Sequence, residues 1–423
     1  MAVNRQLPRA SAYARACFAL GRTAGRLSRV TGRGGGGTLP GHVVLRLRPT
    51  ALRELTAGKT VVLVSGTNGK STTTRLLAAA AAWLGPVVSN PDGANLLPGL
   101  VSALVAGPAG APTAILEVDE LFLPAALAAT DAEVVLLLNL SRDQLDRVKE
   151  VGSHVTRWAA ALRASPQVKV VANRDDPLVV AAVRGGRDDA SVVWVAAGSP
   201  WRSDASLCPR CGFAWDATAQ PWSCEDCGLA APEFRWALGP GHTLLSANGQ
   251  VTPLRLSLPG RASAANAVMA AAAAHLLGVP VDAALERFQP VRDVDGRYLR
   301  VQLDGREVQL LLAKNPAGWL EVLAELSTAA GALLLGINAR TADGTDPSWL
   351  WDVPFEQLRG RRVVVFGDRA LDLSVRLQYA EVPHQVERDL VRALASLGDT
   401  AVQVAANYTA FVEARSMLRS ATA

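Results

Sequence analysis

A short apolar run, Val61-Val62-Leu63-Val64, leads into Gly66-Thr67-Asn68-Gly69-Lys70-Ser71-Thr72. Consecutive apolar, mostly β-branched residues read as a buried strand, and a helical pattern follows from Lys70. A strand, a glycine turn and a helix opened by lysine and hydroxyl residues form a phosphate cradle. Backbone amides converge on the phosphate, and the positive end of the helix dipole adds to the pull. In such a cradle Lys70 reaches the β- and γ-phosphates of ATP and the Ser71 hydroxyl ligates Mg²⁺. The expected nucleotide-binding set is therefore Gly66, Thr67, Asn68, Gly69, Lys70, Ser71 and Thr72. The Walker form would need a glycine where Val64 stands, so that form is not met. A corner whose glycines serve geometry alone is the competing reading, and the lysine-hydroxyl opening of the helix argues against it.

Around this corner the chain organises into α/β units. Strand candidates at Ala114-Ile115-Leu116, Val134 to Leu138, Val168 to Val171 and Val192 to Val195 alternate with helical stretches, which predicts a parallel sheet covered on both faces. A second βα series begins near Arg297, with strands at 308–312, 332–336, 363–366 and 401–404. The expected fold class is α/β: a central phosphate-loop domain at 51–294, and a C-terminal Rossmann-like domain at 295–423. An N-terminal segment covers 1–50, and residues 200–236 form an insertion. At 423 residues, two or three cores are the natural division. Alanine runs such as Ala270 to Ala274 read as close-packed helices rather than membrane spans.

The N-terminal segment carries Arg5, Arg9, Arg15, Arg22, Arg26 and Arg29, then a flexible glycine run at 32–37. It lacks a signal-peptide core and cleavage site, which favours a cytoplasmic setting. Its basic face suits a membrane surface, and a solvated helix face is the preferred reading. The net charge of +5 fits anionic substrates, an anionic membrane or nucleic acid alike, and equally a plain basic bias.

Within the insertion, Cys208-x2-Cys211 and Cys224-x2-Cys227 place two C-x-x-C pairs twelve residues apart. Four thiolates at that spacing close a tetrahedral Zn²⁺ site, with Gly212 and Gly228 permitting the knuckle turns. With no position left for water, the zinc is expected to be structural. Two disulfides are the alternative, disfavoured by a reducing compartment. The remaining Cys17 reads as a small buried residue.

Together these motifs resemble the Mur ligase and folylpolyglutamate synthase superfamily. Ser65 to Thr73 resembles its ATP loop, and Glu117-Val118-Asp119-Glu120 its acidic Mg²⁺ site. Asn139 to Asp146 resembles the Asn-x-x-x-Asp-His-Leu-Asp segment, and Asn173 to Pro177 the Asn-x-Asp-Asp turn. Pro259-Gly260 through Asn266 resembles the nucleotide-contacting stretch, and Gly296-Arg297 the junction arginine. The four-cysteine insertion, Ile337 to Asp352 and Ala406 to Ala410 resemble the MurT branch, the synthetase subunits of lipid II isoglutaminyl synthases. The resemblance runs from about residue 38 to 420. Gln144 departs from it, standing where the amino-acid-adding ligases often place histidine. Only a short segment precedes the phosphate loop, so their N-terminal UDP-binding domain is not expected.

The resemblance implies ATP-dependent amidation of the α-carboxylate of D-glutamate in the lipid II stem peptide, giving D-isoglutamine through an acyl phosphate. Lys70 would hold the phosphates, Ser71 and Glu117 the Mg²⁺, and Asn266 and Arg297 the nucleotide. Asp119, Glu120, Thr72 and Asn139 are further candidates. Glu117 can also be read as a strand-end carboxylate, and the loop Ser89 to Asn95 as either a substrate contact or an ordinary turn. The chain shows no glutaminase signature, because Cys17 lacks a nucleophile-elbow context and the five histidines are scattered. A glutamine amidotransferase partner (GatD-like) in a heterodimer is therefore implied, with lipid II at the inner membrane surface. Of Asp343, Asp346 and Asp352, Asp352 is the candidate to orient the partner's catalytic histidine; helix capping is the alternative for these residues.

Two rival readings make different predictions. A free-standing amino-acid ligase would hydrolyse ATP in response to an amino acid, without a partner. A nucleic-acid-binding protein with a zinc ribbon would show salt-sensitive binding. Few positive charges surround Trp201, Trp215 and Trp222, so no nucleic-acid partner is expected.

Overall fold

A computed structural model of the chain describes residues 12–30, 37–90, 93–108, 110–142, 151–216, 219, 221–292, 297–326, 331–398 and 401–421. Most of the glycine run, the segment 143–150 with Gln144, and Gly296 lie outside the described residues. The chain divides into two compact units, one comprising Met1–Leu140 and Gly152–Arg292, the other Ser141–Val151 and Asp293–Ala423.

The first unit opens with helices α1 (Ala12–Val30), α2 (Leu39–Leu47) and α3 (Ala51–Thr56). There follow β1 (Thr60–Ser65), α4 (Lys70–Ala81), β2 (Val87–Ser89), α5 (Leu97–Ala106), β3 (Thr113–Val118), α6 (Leu123–Ala129), β4 (Val134–Leu137) and α7 (Val151–Ala164). The series continues through β5 (Lys169–Asn173), α8 (Pro177–Arg184), β6 (Val192–Ala196), β7 (Trp236–Gly239), β8 (Thr243–Ser246) and β9 (Val251–Pro253) to α9 (Gly260–Leu276) and α10 (Val281–Phe288).

Its nine strands form one sheet in the order β2-β3-β1-β4-β5-β6-β7-β8-β9. Pairing is parallel from β2 to β7 and antiparallel across β7-β8-β9. β1 lies near the middle, and every residue from Val61 to Ser65 is buried, as expected for a strand covered by helices on both faces. Asp176 caps α8, its carboxylate accepting from the amides of Leu178 and Val179. Helix α9 is buried along Ala267 to Ala274, the small side chains that let it pack closely against α4.

The second unit contains β10 (Tyr298–Leu303), β11 (Arg306–Leu312), α11 (Pro316–Leu326), β12 (Ala332–Gly336), β13 (Val363–Phe366), α12 (Ala370–Tyr379), β14 (His384–Val386), α13 (Leu390–Ala395), β15 (Val402–Ala406) and α14 (Tyr408–Ala421). The strand order is β10-β11-β15-β12-β13-β14, parallel except for the β10-β11 hairpin. One side of this sheet packs on Trp319, Phe355 and Leu373, the other on Phe411 and Leu394. The sequence reading missed the short strands β2 and β14, and β10, whose exposed residues alternate with half-buried ones.

Candidate nucleotide site and metal centre

The phosphate loop sits at the carboxyl end of β1, where an open parallel sheet places its ligands. Gly66 has φ +147°, and a Cβ there would come within 3.0 Å of the backbone of Asn139 at the end of β4. The loop is pressed against that neighbouring strand. The amide of Thr67 donates to the Asn139 carbonyl at 2.9 Å. The Asn139 side chain accepts from the Asn68 amide at 2.8 Å and donates to the Asn68 carbonyl at 3.0 Å. Asn139 thus clamps the loop's shape, a role its sequence context did not disclose. Gly69 takes φ +85° as the residue that starts α4, and Lys70, Ser71 and Thr72 form the first turn. A Cβ at Gly69 would stand 2.4 Å from Oδ1 of Asn266, so α9 brings Asn266 against the loop.

Lys70 is buried, and its ammonium donates to the carbonyls of Gly66 and Thr67 and to Oε2 of Glu120, the last at 2.9 Å. Trp158 donates its indole N–H to the Glu120 carbonyl at 2.9 Å. The imidazole of His154, also on α7, is buried nearby. Burial lowers its proton affinity, and the charges of Glu120 and Asp119 oppose that effect. Glu117 is buried on β3 opposite Val64, two residues before Gly66. Its carboxylate accepts from Nδ2 of Asn95 at 3.1 Å, while the Asn90 side chain brackets its backbone N–H and C=O at 2.8 and 2.9 Å. Asn90 and Asn95 therefore support Glu117 from the 89–95 loop. Asp119 folds back on the Leu121 amide at 2.9 Å.

The Asn173 to Pro177 turn is scaffolding around Asp176. Besides capping α8, this carboxylate accepts from the Leu140 amide at 2.9 Å and ties two loops together. Burial raises its pKa to about 6 against the pull of these amides.

In the second unit the three aspartates part company. Asp343 is buried and accepts from the amides of Thr409 and Arg340 at 2.8 and 3.1 Å. Asp346 accepts from the Ser348 amide at 2.8 Å, capping the short 3₁₀ turn Ser348–Asp352. Asp352 ends that turn with a partly exposed side chain, 3.4 Å from the guanidinium of Arg142. Arg297 belongs to this unit too, and its carbonyl accepts from the Leu312 amide at 3.0 Å.

The four cysteines converge in the first unit, their sulfurs all within 4.8 Å of one another. Cys208 and Cys227 are 3.6 Å apart, Cys211 and Cys224 3.7 Å. A tetrahedron with Zn–S bonds of about 2.3 Å has S···S edges of about 3.8 Å, whereas a disulfide needs about 2.05 Å. The donor set fits zinc. Each pair sits on a knuckle: the amides of Gly212 and Gly228 donate to the carbonyls of Cys208 and Cys224, and both glycines have positive φ. Backbone amides, that of Cys227 foremost, lower the pKa of Cys224 to about 7, whereas burial raises that of Cys208. Trp222 is buried beneath, edge-on to Trp215 with centroids 5.5 Å apart. Cys17 is buried, as read.

Solved structures share the fold. MurF from Acinetobacter baumannii superposes with TM-score 0.67 over 90% of this chain and 80% of its own at 14% identity. MurF from Thermotoga maritima, solved in complex with ADP, gives 0.61 over 87% and 80% at 15% identity. A family model described as MurT ligase C-terminal matches residues 312–411. The chain is 27% identical to the MurT subunit of lipid II isoglutaminyl synthase (glutamine-hydrolyzing) from Streptococcus pneumoniae, covering 95% of this chain and 97% of that one. The likeness to a MurT subunit thus runs nearly the full length of both chains. The Staphylococcus aureus MurT subunit is 28% identical over 90% of this chain and 91% of its own. The fold shared with the MurF structures accounts for the α/β architecture, and the four-cysteine cluster at 208–227 is a candidate metal site within it.

Proposed function

We propose that this chain is the ATP-using subunit of an enzyme that amidates the α-carboxylate of D-glutamate in the lipid II stem peptide. The near full-length match to MurT subunits carries the reading, and the phosphate loop with its buried lysine and carboxylates supports it. A carboxylate resists ammonia because its resonance-stabilised anion is a poor electrophile. Transfer of the γ-phosphoryl group to a carboxylate oxygen gives an acyl phosphate and ADP. Ammonia then attacks the carbonyl carbon, phosphate leaves with the C–O bond pair, and the nitrogen sheds a proton to give the amide. Such transfer depends on positioning and charge neutralisation. Lys70 supplies a cation at the phosphates, and Asn139 and Asn266 hold the loop to shape. Ser71 and Glu117 are the residues to hold Mg²⁺, which supplies charge neutralisation when bound, and Arg297 is proposed to meet the nucleotide. Zinc on Cys208, Cys211, Cys224 and Cys227 stabilises the insertion.

Ammonia comes from a glutamine amidotransferase partner of GatD type in a heterodimer. Asp352 is the residue proposed to orient its catalytic histidine. Beside it, Trp351 packs edge-on to Tyr379 at 5.2 Å, and Leu371, Val375 and Tyr379, four residues apart on α12, stay exposed. An exposed apolar stripe of this kind suits a protein partner. No described helix is long and apolar enough to cross a membrane, so contact with lipid II is proposed to be peripheral, at the inner membrane surface. The test is glutamine-dependent amidation of lipid II by the chain with its partner. Amidation that survives Lys70→Ala, or amino-acid-dependent ATP hydrolysis without a partner, overturns the reading.

A further inference from the structure

The chain's charge is unevenly placed. From Met1 to Arg53 there are ten arginines and no aspartate or glutamate, while the whole chain nets +5, so the remainder nets −5. The first acid, Glu54, is held by Arg48 at 2.8 Å. Among the described residues, the arginines of α1 stand on a well-packed helix. One face of α1 buries Ala14, Cys17, Phe18, Gly21 and Gly25. A Cβ at Gly21 would stand 2.5 Å from Cγ2 of Val44, and one at Gly25 2.9 Å from Cγ of Pro40, so α1 is pressed onto α2 and cannot roll. α2 in turn rests on α5, the Gly41 amide donating to the Ser102 hydroxyl at 2.8 Å. Neither α2 nor α5 carries a carboxylate.

Helical spacing then decides where the arginines go. Arg15, Arg22 and Arg26 are seven and four residues apart, which at 3.6 residues per turn aligns them in one row. All three are exposed, along one flank of the packed face. Small residues Ala12, Ala16 and Ala19 flank the row, so the guanidinium groups stand proud of a flat surface. Leu20 and Tyr13 point away from this row, and the Tyr13 hydroxyl donates to the Leu47 carbonyl at 3.4 Å beneath the Arg48 guanidinium.

We infer that this face of α1 rests on an anionic lipid surface, with Arg15, Arg22 and Arg26 against the headgroups. Charge complementarity selects the occupant, because anionic headgroups offer a planar array of negative charge that a row of arginines on a flat helix face matches. The inference deepens the proposed function, whose substrate is lipid-anchored, yet its first arm does not depend on that reading.

The test is co-sedimentation of the full chain with vesicles of phosphatidylglycerol mixed with phosphatidylcholine, against phosphatidylcholine alone. Binding is expected on the anionic vesicles only, weakening as salt rises. Changing Arg15, Arg22 and Arg26 together to Gln is expected to weaken it by about a hundredfold, each near-surface charge contributing about fivefold. The matching triple change to Lys keeps the charge and is expected to keep the binding. Equal binding to neutral vesicles, loss in the Lys variant, or full retention in the Gln variant overturns the inference. So does displacement by inorganic phosphate at low concentration, which indicates a discrete anion site, or a preference for RNA over vesicles. In a second arm, the Gln variant is expected to amidate a substrate lacking the lipid tail at the parent rate and a vesicle-embedded one more slowly. Absence of amidation in the parent chain defeats the functional reading and leaves the vesicle result standing.

Discussion

The ammonium of Lys70 lies 2.9 Å from a carboxylate oxygen of Glu120, with both side chains almost wholly buried. The pair spans fifty residues of chain and joins the first turn of α4 to the end of β3. Removing one partner leaves a buried charge uncompensated, and Glu120→Ala is expected to cost about 3–5 kcal/mol of folding stability. Replacing both, as Lys70→Met with Glu120→Leu, is expected to recover most of that loss while abolishing amidation. Urea unfolding of the three proteins checks this, and additive losses in the double variant would refute it.

Gly69 and Gly249 share φ +85°, but only Gly69 faces a neighbour, Asn266 at 2.4 Å from the missing Cβ. Gly249→Ala should lose about 1–2 kcal/mol to backbone strain and bind nucleotide as before. Gly69→Ala adds a collision inside the phosphate cradle and should weaken nucleotide binding by about tenfold or more. Calorimetric titration with an ATP analogue separates the two.

His154 becomes charged in the unfolded chain before it does in the fold, because burial lowers its folded pKa. Below about pH 6.5 the unfolded state therefore binds the extra proton, and stability falls as pH drops toward the lowered folded value. Above that pH the histidine adds no slope. His154→Gln should flatten this part of the stability profile, measured by urea unfolding at stepped pH; an unchanged slope would assign it to other groups.

Zinc should be found at one ion per chain. Cys211→Ser, or a strong chelator, should release it and expose residues 200–236 to proteolysis, since this segment has few buried apolar residues of its own. Metal analysis alongside limited proteolysis checks both points.

Asp352→Asn should lower glutamine-driven amidation at least about tenfold by failing to orient the partner's histidine. Amidation driven by added ammonium should persist. Tyr379→Ser should show the same split through weaker partner binding. Equal losses with both nitrogen sources would place these residues in the synthetase chemistry instead.

Much of this was legible in the sequence because the signals are local. The phosphate loop follows its strand within a few residues, and the cysteine spacing is itself the metal geometry. Glu120, only a secondary candidate in the sequence, gains its place through a partner fifty positions away. Asn139 resembled a motif residue, but its clamp on Asn68 depends on β4 lying beside β1, which no local pattern states. Asp352 was preferred over Asp343 in sequence, and what sets Asp343 apart, its burial and the Thr409 amide it accepts from, depends on a segment sixty-six positions away. Strand β2 was missed because three residues are too few to establish a period.

β6 and β7 are parallel neighbours, and the chain that crosses between them is not the usual helix but the four-cysteine module. With zinc at the proposed site, incorporation of β7, β8 and β9 into the sheet would wait on a metal ion that the cell must deliver. A polypeptide made under zinc starvation would carry a sound phosphate loop and an unjoined edge, the kind of lesion that quality-control proteases recognise. Micronutrient supply would then set how much of this protein a cell keeps, independently of how much it translates.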